Sequence, residues 1–338
     1  MKTAENKSSI LQLIERKLID NTPKTDADFV NMKEADQLVS LLTSEFSHLL
    51  DLAHAVRLKY CGDGVDLESL VSAKTGGCIE DCAFCSQSIH FETDIKRHPL
   101  FKPGKILELA KASEAAGAQQ YCIVVAVRGP DEPLMKRVLE AVDLIHAETN
   151  LKVDCSLGLL TEDQAQRLKD AKVNHYNHNL ESAESFFPNI CTTHSWQDRA
   201  DTCRTVRKVG MGLCSGGIFG MGESWQQRLE LAFSLRELGV EEVPLNFLDA
   251  RPGTPMAQKT PLGPMDALRI CAIYRLILPK IILRYGGGRE LILRDLQAFG
   301  LRGGVNAMVI GNYLTTEGRQ ATDDLQLLKD LGMPVAQL

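Results

Sequence analysis

Short runs rich in β-branched and apolar residues alternate with helix-length amphipathic segments through most of this chain, and that alternation restricts the fold more than any other feature. The strand candidates are 70–78, 120–127, 151–158, 174–181, 212–220, 242–249, 281–286 and 305–311. Helix candidates fall near 103–117, 131–149, 161–172, 196–210, 224–239, 263–278, 290–302 and 319–332. Thr161-Glu162-Asp163-Gln164 offers a capping start, and Gly117, Gly210 and Gly239 close helices ahead of the next strand. Eight strands, each followed by a helix, predict an α/β fold: a single-domain (β/α)8 TIM-type barrel with an N-terminal helical extension. An open doubly wound sheet is the alternative that the same count leaves standing. The extension is placed at 1–69, the barrel at 70–315, and a C-terminal helix and tail completing it at 316–338. Periodic Leu41, Leu42, Phe46, Leu49, Leu50, Leu52 and Val56 predict that the extension packs outside the barrel or closes its N-terminal end.

Composition narrows the partners. With 338 residues and 44% hydrophobic content the chain can bury one large core. A formal charge of −6 disfavours a nucleic-acid or anionic-membrane surface, each of which needs clustered Lys and Arg. No apolar stretch approaches the ~20 residues that span a bilayer. The N-terminus lacks the Arg-rich, acid-poor character of a transit peptide, so the expected location is cytoplasmic.

The chemistry is concentrated in Gly76-Gly77-Cys78-Ile79-Glu80-Asp81-Cys82-Ala83-Phe84-Cys85, a C-x3-C-x2-C run. Three thiolates this close can hold three irons of a four-iron cubane and leave the fourth open, whereas a closed structural cluster takes four protein ligands. Zinc also wants four ligands, and no second cysteine pair lies nearby; zinc and simple buried thiols stay open as alternatives. Glu80 and Asp81 read as solvated. Cys61, Cys191, Cys203 and Cys271 read as packing or surface thiols.

The barrel expectation gathers scattered residues. Cys122, Cys155, Cys214 and Arg284 all fall on candidate strands, and side chains pointing into a narrow lumen meet one another. Each cysteine alone is as easily core packing. A buried arginine needs an anionic partner, which a second iron–sulfur cluster would supply. In Tyr176-Asn177-His178-Asn179-Leu180-Glu181, a period of two puts Asn177, Asn179 and Glu181 on one face, able to hold ribose hydroxyls and a urea-like group; a polar strand end is the plain alternative. His178 has the other parity. The glycine-rich 214–223 turn matches no P-loop. No general acid or base is assigned.

The triad, with Phe84 before Cys85, resembles the signature of radical S-adenosylmethionine (SAM) enzymes. Thr75-Gly76-Gly77-Cys78, Tyr176-Asn177-His178-Asn179-Leu180, Cys214-Ser215-Gly216-Gly217-Ile218, Gly253-Thr254-Pro255 and Gly288-Arg289-Glu290 resemble the biotin synthase family, from about residue 40 to the C-terminus.

The resemblance implies that Cys78, Cys82 and Cys85 hold a [4Fe-4S] cluster whose open iron binds SAM, and that Cys122, Cys155, Cys214 and Arg284 hold an auxiliary [2Fe-2S] cluster, the proposed sulfur source for closing the ring of dethiobiotin. It also implies ribose contacts at Asn179 and Glu181, a contact near the methionine carboxylate at Arg199, and ureido contacts at Asn177 and Asn246. Glu181 stands where an aspartate also occurs, and Gln120 where some relatives carry arginine. A flavodoxin- or ferredoxin-type electron donor, iron–sulfur assembly proteins and a homodimer follow from the same resemblance. Other radical enzymes of this barrel class need not keep the four lumenal residues together. A lipoyl-synthase-like chain would need an N-terminal cysteine triad, and residues 1–60 contain no cysteine. A non-catalytic iron–sulfur sensor is the alternative from another class.

Overall fold

The computed structural model describes residues 9–21, 23, 25 and 28–336; residues 1–8 of the expected extension and 337–338 of the expected tail lie outside them. The N-terminal segment is helical: α1 (Ser9–Glu15) runs on into a π-helical turn (Arg16–Asp20), followed by α2 (Met32–Ser40) and α3 (Phe46–Cys61). The alternation then begins with β1 (Asp66–Lys74), α4 (Pro103–Ala115), β2 (Gln120–Val125), α5 (Glu132–Glu148), β3 (Lys152–Ser156), α6 (Glu162–Asp170) and β4 (His175–Asn177). It continues with α7 (Trp196–Lys208), β5 (Gly212–Cys214), β6 (Gly217–Phe219), α8 (Trp225–Glu237), β7 (Glu242–Phe247), α9 (Pro264–Ile277) and β8 (Ile282–Tyr285). α10 (Arg289–Ile292), α11 (Gln297–Arg302), β9 (Ala307–Val309) and α12 (Ala321–Leu331) complete it.

All strand pairs are parallel, in the order β5-β4-β3-β2-β1-β9-β8-β7-β6, and β5 also pairs with β7. Since β5 and β6 both flank β7, they act as one interrupted strand, and the sheet closes into an eight-position barrel. The expected strand 212–220 is therefore split at Ser215-Gly216. A side chain at Gly216 would collide with the Pro244 carbonyl, so the chain passes β7 there as bare backbone.

Two further expectations shift. The first strand starts at Asp66 and ends at Lys74, so it does not reach Cys78, and the triad lies wholly in the following loop. The expected helix 290–302 is broken into α10, a 3-10 turn (Arg294–Leu296) and α11, with Arg294 at φ 50°.

Local chemistry fixes the helix starts. Thr161 and Gln164 form a reciprocal capping box at α6, as do Ser195 with Asp198 at α7 and Ser224 with Gln227 at α8. Helix α9 is buried almost all round, including Leu268, Ile270, Cys271, Ile273 and Leu276, so it needs cover on its outer side as well as from the barrel. α3 supplies it, packing against α9 with Leu49, Leu52 and Val56 buried. The extension thus packs outside the barrel. At the far end, buried Arg289 pairs with Asp324 of α12 at 2.5 Å.

Candidate active site

The loops at the carboxyl ends of the strands enclose a cavity of about 390 Å³. Cys78, Cys82 and Cys85 line its mouth, and Glu68 and Leu70 of β1 line its inner wall. The triad loop is closed on itself by backbone hydrogen bonds. Thr75 and His98 exchange backbone hydrogen bonds, Cys78 N donates to the Gln87 carbonyl at 3.1 Å, and Ile89 N donates to the Cys78 carbonyl at 2.8 Å. Gly76 and Gly77 sit at φ 79° and 73°, the left-handed region that lets the loop turn over the strand end. Burial raises the thiol of Cys78 and lifts that of Cys85 to about 11. A bound cluster must displace those protons, because the ligand is the thiolate. Three thiols carried on one loop and all lining an open cavity fit a four-iron cluster with an accessible iron.

Cys191, expected as mere packing, belongs to this group. Its Sγ lies 3.9 Å from Cys82 Sγ, 3.1 Å from Asp81 Oδ1 and 3.2 Å from His194 Nδ1. Ligating atoms of Cys82, Cys191 and His194 all lie within 4.8 Å of one another. The hydrogen bond between the two sulfurs raises the Cys82 thiol and, with help from His194 and Thr193, brings Cys191 down to about 4. Only the fold could reveal this, since Cys191 approaches the triad from a loop 109 positions away. Glu80 also differs from the solvated reading. Glu80 is buried, with Arg128 Nη1 at 2.7 Å and His194 Nδ1 at 2.6 Å; burial opposes its ionisation, but Thr193, His194 and Arg128 hold it below the usual range. Asp81 Oδ1 accepts from the amides of Thr192 and Thr193.

From the triad the polar contacts run to the predicted cofactor residues. Arg199 donates from Nε to the Asn179 carbonyl at 2.6 Å, from Nη2 to Glu181 Oε1 at 2.9 Å and from Nη1 to His194 Nε2 at 3.0 Å. An arginine only donates, so His194 Nε2 accepts and its proton sits on Nδ1, directed at Glu80. Glu181 holds a left-handed backbone at φ 67°, and its Oε2 is buried without a hydrogen-bond partner. An orphaned carboxylate oxygen facing a cavity fits a ligand hydroxyl. Asn179 Oδ1 accepts from Gly216 N at 3.0 Å. β4 ends at Asn177, so the expected period of two does not carry through to Asn179 and Glu181; all three nonetheless line the cavity. Asn246 faces them from β7, its Oδ1 accepting from Gly287 N at 2.9 Å.

Deeper in the lumen, Arg284 is fully buried and already paired. Its Nη1 meets Asp66 Oδ1 at 2.8 Å, its Nη2 meets Glu242 Oε2 at 3.1 Å and Gln120 Oε1 at 3.2 Å, and its Nε lies 3.1 Å from Glu68 Oε2. The anion that sequence assigned to a cluster is supplied by three carboxylates. Burial disfavours the cation, yet Glu242, Glu68 and Asp66 hold Arg284 well above its ordinary value. Burial raises Asp66 and takes Glu68 to about 8. His175 is opposed by burial but is taken up to about 10 by Asp154, Glu241 and Glu242.

Cys122 and Cys214 point into this lumen, but Cys155 does not. Register pairs Cys122 with Asp154, and Cys155 with Ile123 and Tyr176. Laterally paired residues share a face, so Asp154 is lumenal and Cys155 lies in the apolar layer with Ile123 and Tyr176. A Cys122, Cys155, Cys214 and Arg284 ligand set for a two-iron cluster does not fit this geometry.

Residues 73–235 match the Radical SAM superfamily, and residues 244–334 match the Biotin and Thiamin Synthesis associated domain. Biotin synthase 1 of Corynebacterium diphtheriae is 49% identical over 98% of this chain and 93% of its own length. Biotin synthase of Frankia alni is 53% identical over 86% of this chain and 82% of its own length. The crystal structure of methylornithine synthase (PylB) superposes with a TM-score of 0.79 at 20% identity, covering 96% of this chain and 97% of that one. Motif, barrel and full-length similarity agree, and the chain belongs to the biotin synthase family of radical SAM enzymes.

Proposed function

We infer that this chain catalyses the insertion of sulfur into dethiobiotin to form biotin. The observation that carries the reading is one cavity bordered by the cysteine triad, by Glu181 and Arg199, and by the amides of Asn177 and Asn246. Cys78, Cys82 and Cys85 would hold the four-iron cluster, and with SAM bound that cofactor pair supplies a carbon radical able to take hydrogen from unactivated carbons. The chain's own residues bind and position. Glu181 Oε2 accepts from a ribose hydroxyl, Asn179 flanks the same ribose, and Arg199 offers guanidinium charge near the methionine carboxylate. Asn177 and Asn246 present paired donors and acceptors to a ureido group.

A reactive carbon radical must be kept from water and from stray C–H bonds, which a barrel lumen accomplishes by enclosure. The triad stands on the long loop after β1, and Asn177 and Asn246 stand on β4 and β7 of the same barrel, so the sheet fixes the spacing of the elements that carry them. Among the described residues, no helix is long and apolar enough to cross a membrane. A cytoplasmic location, a flavodoxin- or ferredoxin-type electron donor, iron–sulfur assembly proteins and a homodimer complete the proposal.

Anaerobic reconstitution with iron and sulfide, followed by SAM, dethiobiotin and a reductant, tests it. Formation of 5′-deoxyadenosine and biotin is the expected result. Absence of 5′-deoxyadenosine rejects the radical reading, and 5′-deoxyadenosine without biotin rejects the substrate.

A further inference from the structure

We propose that His194 is a positioning residue for cofactor binding: its Nε2 lone pair holds one arm of Arg199, and Glu80 keeps that lone pair available by taking the hydrogen bond from Nδ1. The inference rests on the reading that Arg199 meets the methionine carboxylate of SAM. Glu80, His194 and Arg199 all line the cavity, and they form a chain of hydrogen bonds from the triad loop to the cofactor residues. Glu80 Oε2 lies 2.6 Å from His194 Nδ1, and His194 Nε2 lies 3.0 Å from Arg199 Nη1. Glu80 falls between Cys78 and Cys82 in the chain, so the loop that carries the cysteines also sets this histidine.

The chemistry of each group fixes its part. A guanidinium carries five N–H donors and no acceptor. Arg199 uses Nε on the Asn179 carbonyl, one Nη2 hydrogen on Glu181 Oε1 and one Nη1 hydrogen on His194 Nε2. One hydrogen on each of Nη1 and Nη2 is left, the pair with which a guanidinium grips a carboxylate through two parallel bonds. An imidazole with its proton on Nε2, or an imidazolium, would set that proton against the Nη1 hydrogen, so only the Nδ1–H form serves. Glu80 selects it. This residue is 6% exposed, and its carboxylate is itself held by Arg128 Nη1 at 2.7 Å and by Thr193 Oγ1. Cys191 Sγ, 3.2 Å away, also approaches Nδ1. The ring has little freedom to turn. Phe187 meets it edge-on with 5.6 Å between centroids, and the next residue, Ser195, is pinned as the N-cap of α7. Without His194 the Nη1 hydrogen that faced it loses its acceptor, and the guanidinium is fixed on the Asn179 and Glu181 side alone.

The test measures SAM affinity of the iron-loaded full chain by equilibrium dialysis, with iron content as the control for folding. His194→Phe, which keeps a ring but neither nitrogen, should weaken SAM binding ~10-fold at full iron content. His194→Gln should recover most of that loss, because a carboxamide again offers a donor to Glu80 and an acceptor to Arg199. In an Arg199→Met background His194→Phe should cost nothing further, since the two residues act through one bond. Unchanged affinity in His194→Phe, equal losses in His194→Phe and His194→Gln, or a full additional loss in the Arg199→Met background overturns the positioning role and leaves the Arg199 contact standing. Unaltered SAM affinity in Arg199→Met overturns that contact, and this inference with it. Nitrogen NMR of isotope-labelled histidine in the unsubstituted, iron-free chain, above neutral pH, should place the His194 proton on Nδ1. A proton on Nε2 overturns the proposal even where His194→Phe takes up no iron.

Discussion

Cys82 Sγ and Cys191 Sγ stand 3.9 Å apart, one on the triad loop and the other beside His194 on a loop from across the cavity mouth. Hydrogen bonding holds Cys191 near 4, so in the cluster-free chain it is a thiolate next to a thiol. Diamide should therefore join the pair, each sulfur giving up one electron, with the Cys82 proton and one from solvent passing to the reagent. Peptide mapping should find a Cys82–Cys191 disulfide in the cluster-free chain and none in Cys191→Ser. Iron-loaded protein should resist, because iron occupies the Cys82 sulfur. Equal labelling of loaded and cluster-free protein would remove Cys82 from the ligand set.

Glu181 and Arg199 form a half-buried pair at 2.9 Å, and the free Oε2 of Glu181 awaits a donor. Glu181→Gln keeps the shape but weakens the charge-assisted bonds, by about 1–3 kcal/mol. SAM affinity, measured by equilibrium dialysis on the loaded protein, should fall ~10- to 100-fold, with iron content unchanged. An unaltered affinity would exclude Glu181 from the cofactor site.

Gly286 has no space for a side chain, because a Cβ there would run into Asn246 Oδ1. Gly286→Ala should push Asn246 aside and break its bond from Gly287 N. The expected outcome is a KM for dethiobiotin raised ~10-fold, while 5′-deoxyadenosine formation still saturates at the same SAM concentration. A proportional loss for SAM would mean a general collapse of this wall.

Removing the Arg284 charge should destabilise the fold in a pH-dependent manner. Arg284→Met leaves Asp66, Glu68 and Glu242 buried without their cation, at a cost of about 3–5 kcal/mol near neutral pH. Carboxyls whose folded pKa is raised above the unfolded value contribute stability at low pH and lose it as pH rises through the folded value. Glu68 already follows this sign in the wild-type chain, between its ordinary 4.5 and about 8. The Tm gap between Arg284→Met and wild type, followed by circular dichroism, should widen from pH 5.5 to pH 8. A gap independent of pH would show that the arginine contributes packing alone.

The barrel and the triad were legible in the chain because each is a local pattern: alternating strand and helix periods for one, a single short motif for the other. Register is not local. Asp154 and Cys155 are adjacent, and only the pairing of β3 with β2 and β4 says which of them faces inward; one residue of slip exchanges them. Arg284 is a similar case. Its burial could be inferred, but its partners come from residues 66, 68 and 242, which no spacing rule connects. Cys191 and Glu80 were misread because a loop sequence records composition and not the second loop folded over it.

Glu181 keeps a left-handed backbone at φ 67° although glycine would adopt it freely. A strained non-glycine residue of this kind costs on the order of 1–3 kcal/mol. Thermostability and catalysis therefore pull in opposite directions at this one position. A selection for heat resistance that ignores turnover should recover Glu181→Gly, and directed evolution of a hardier enzyme should leave residue 181 out of its library.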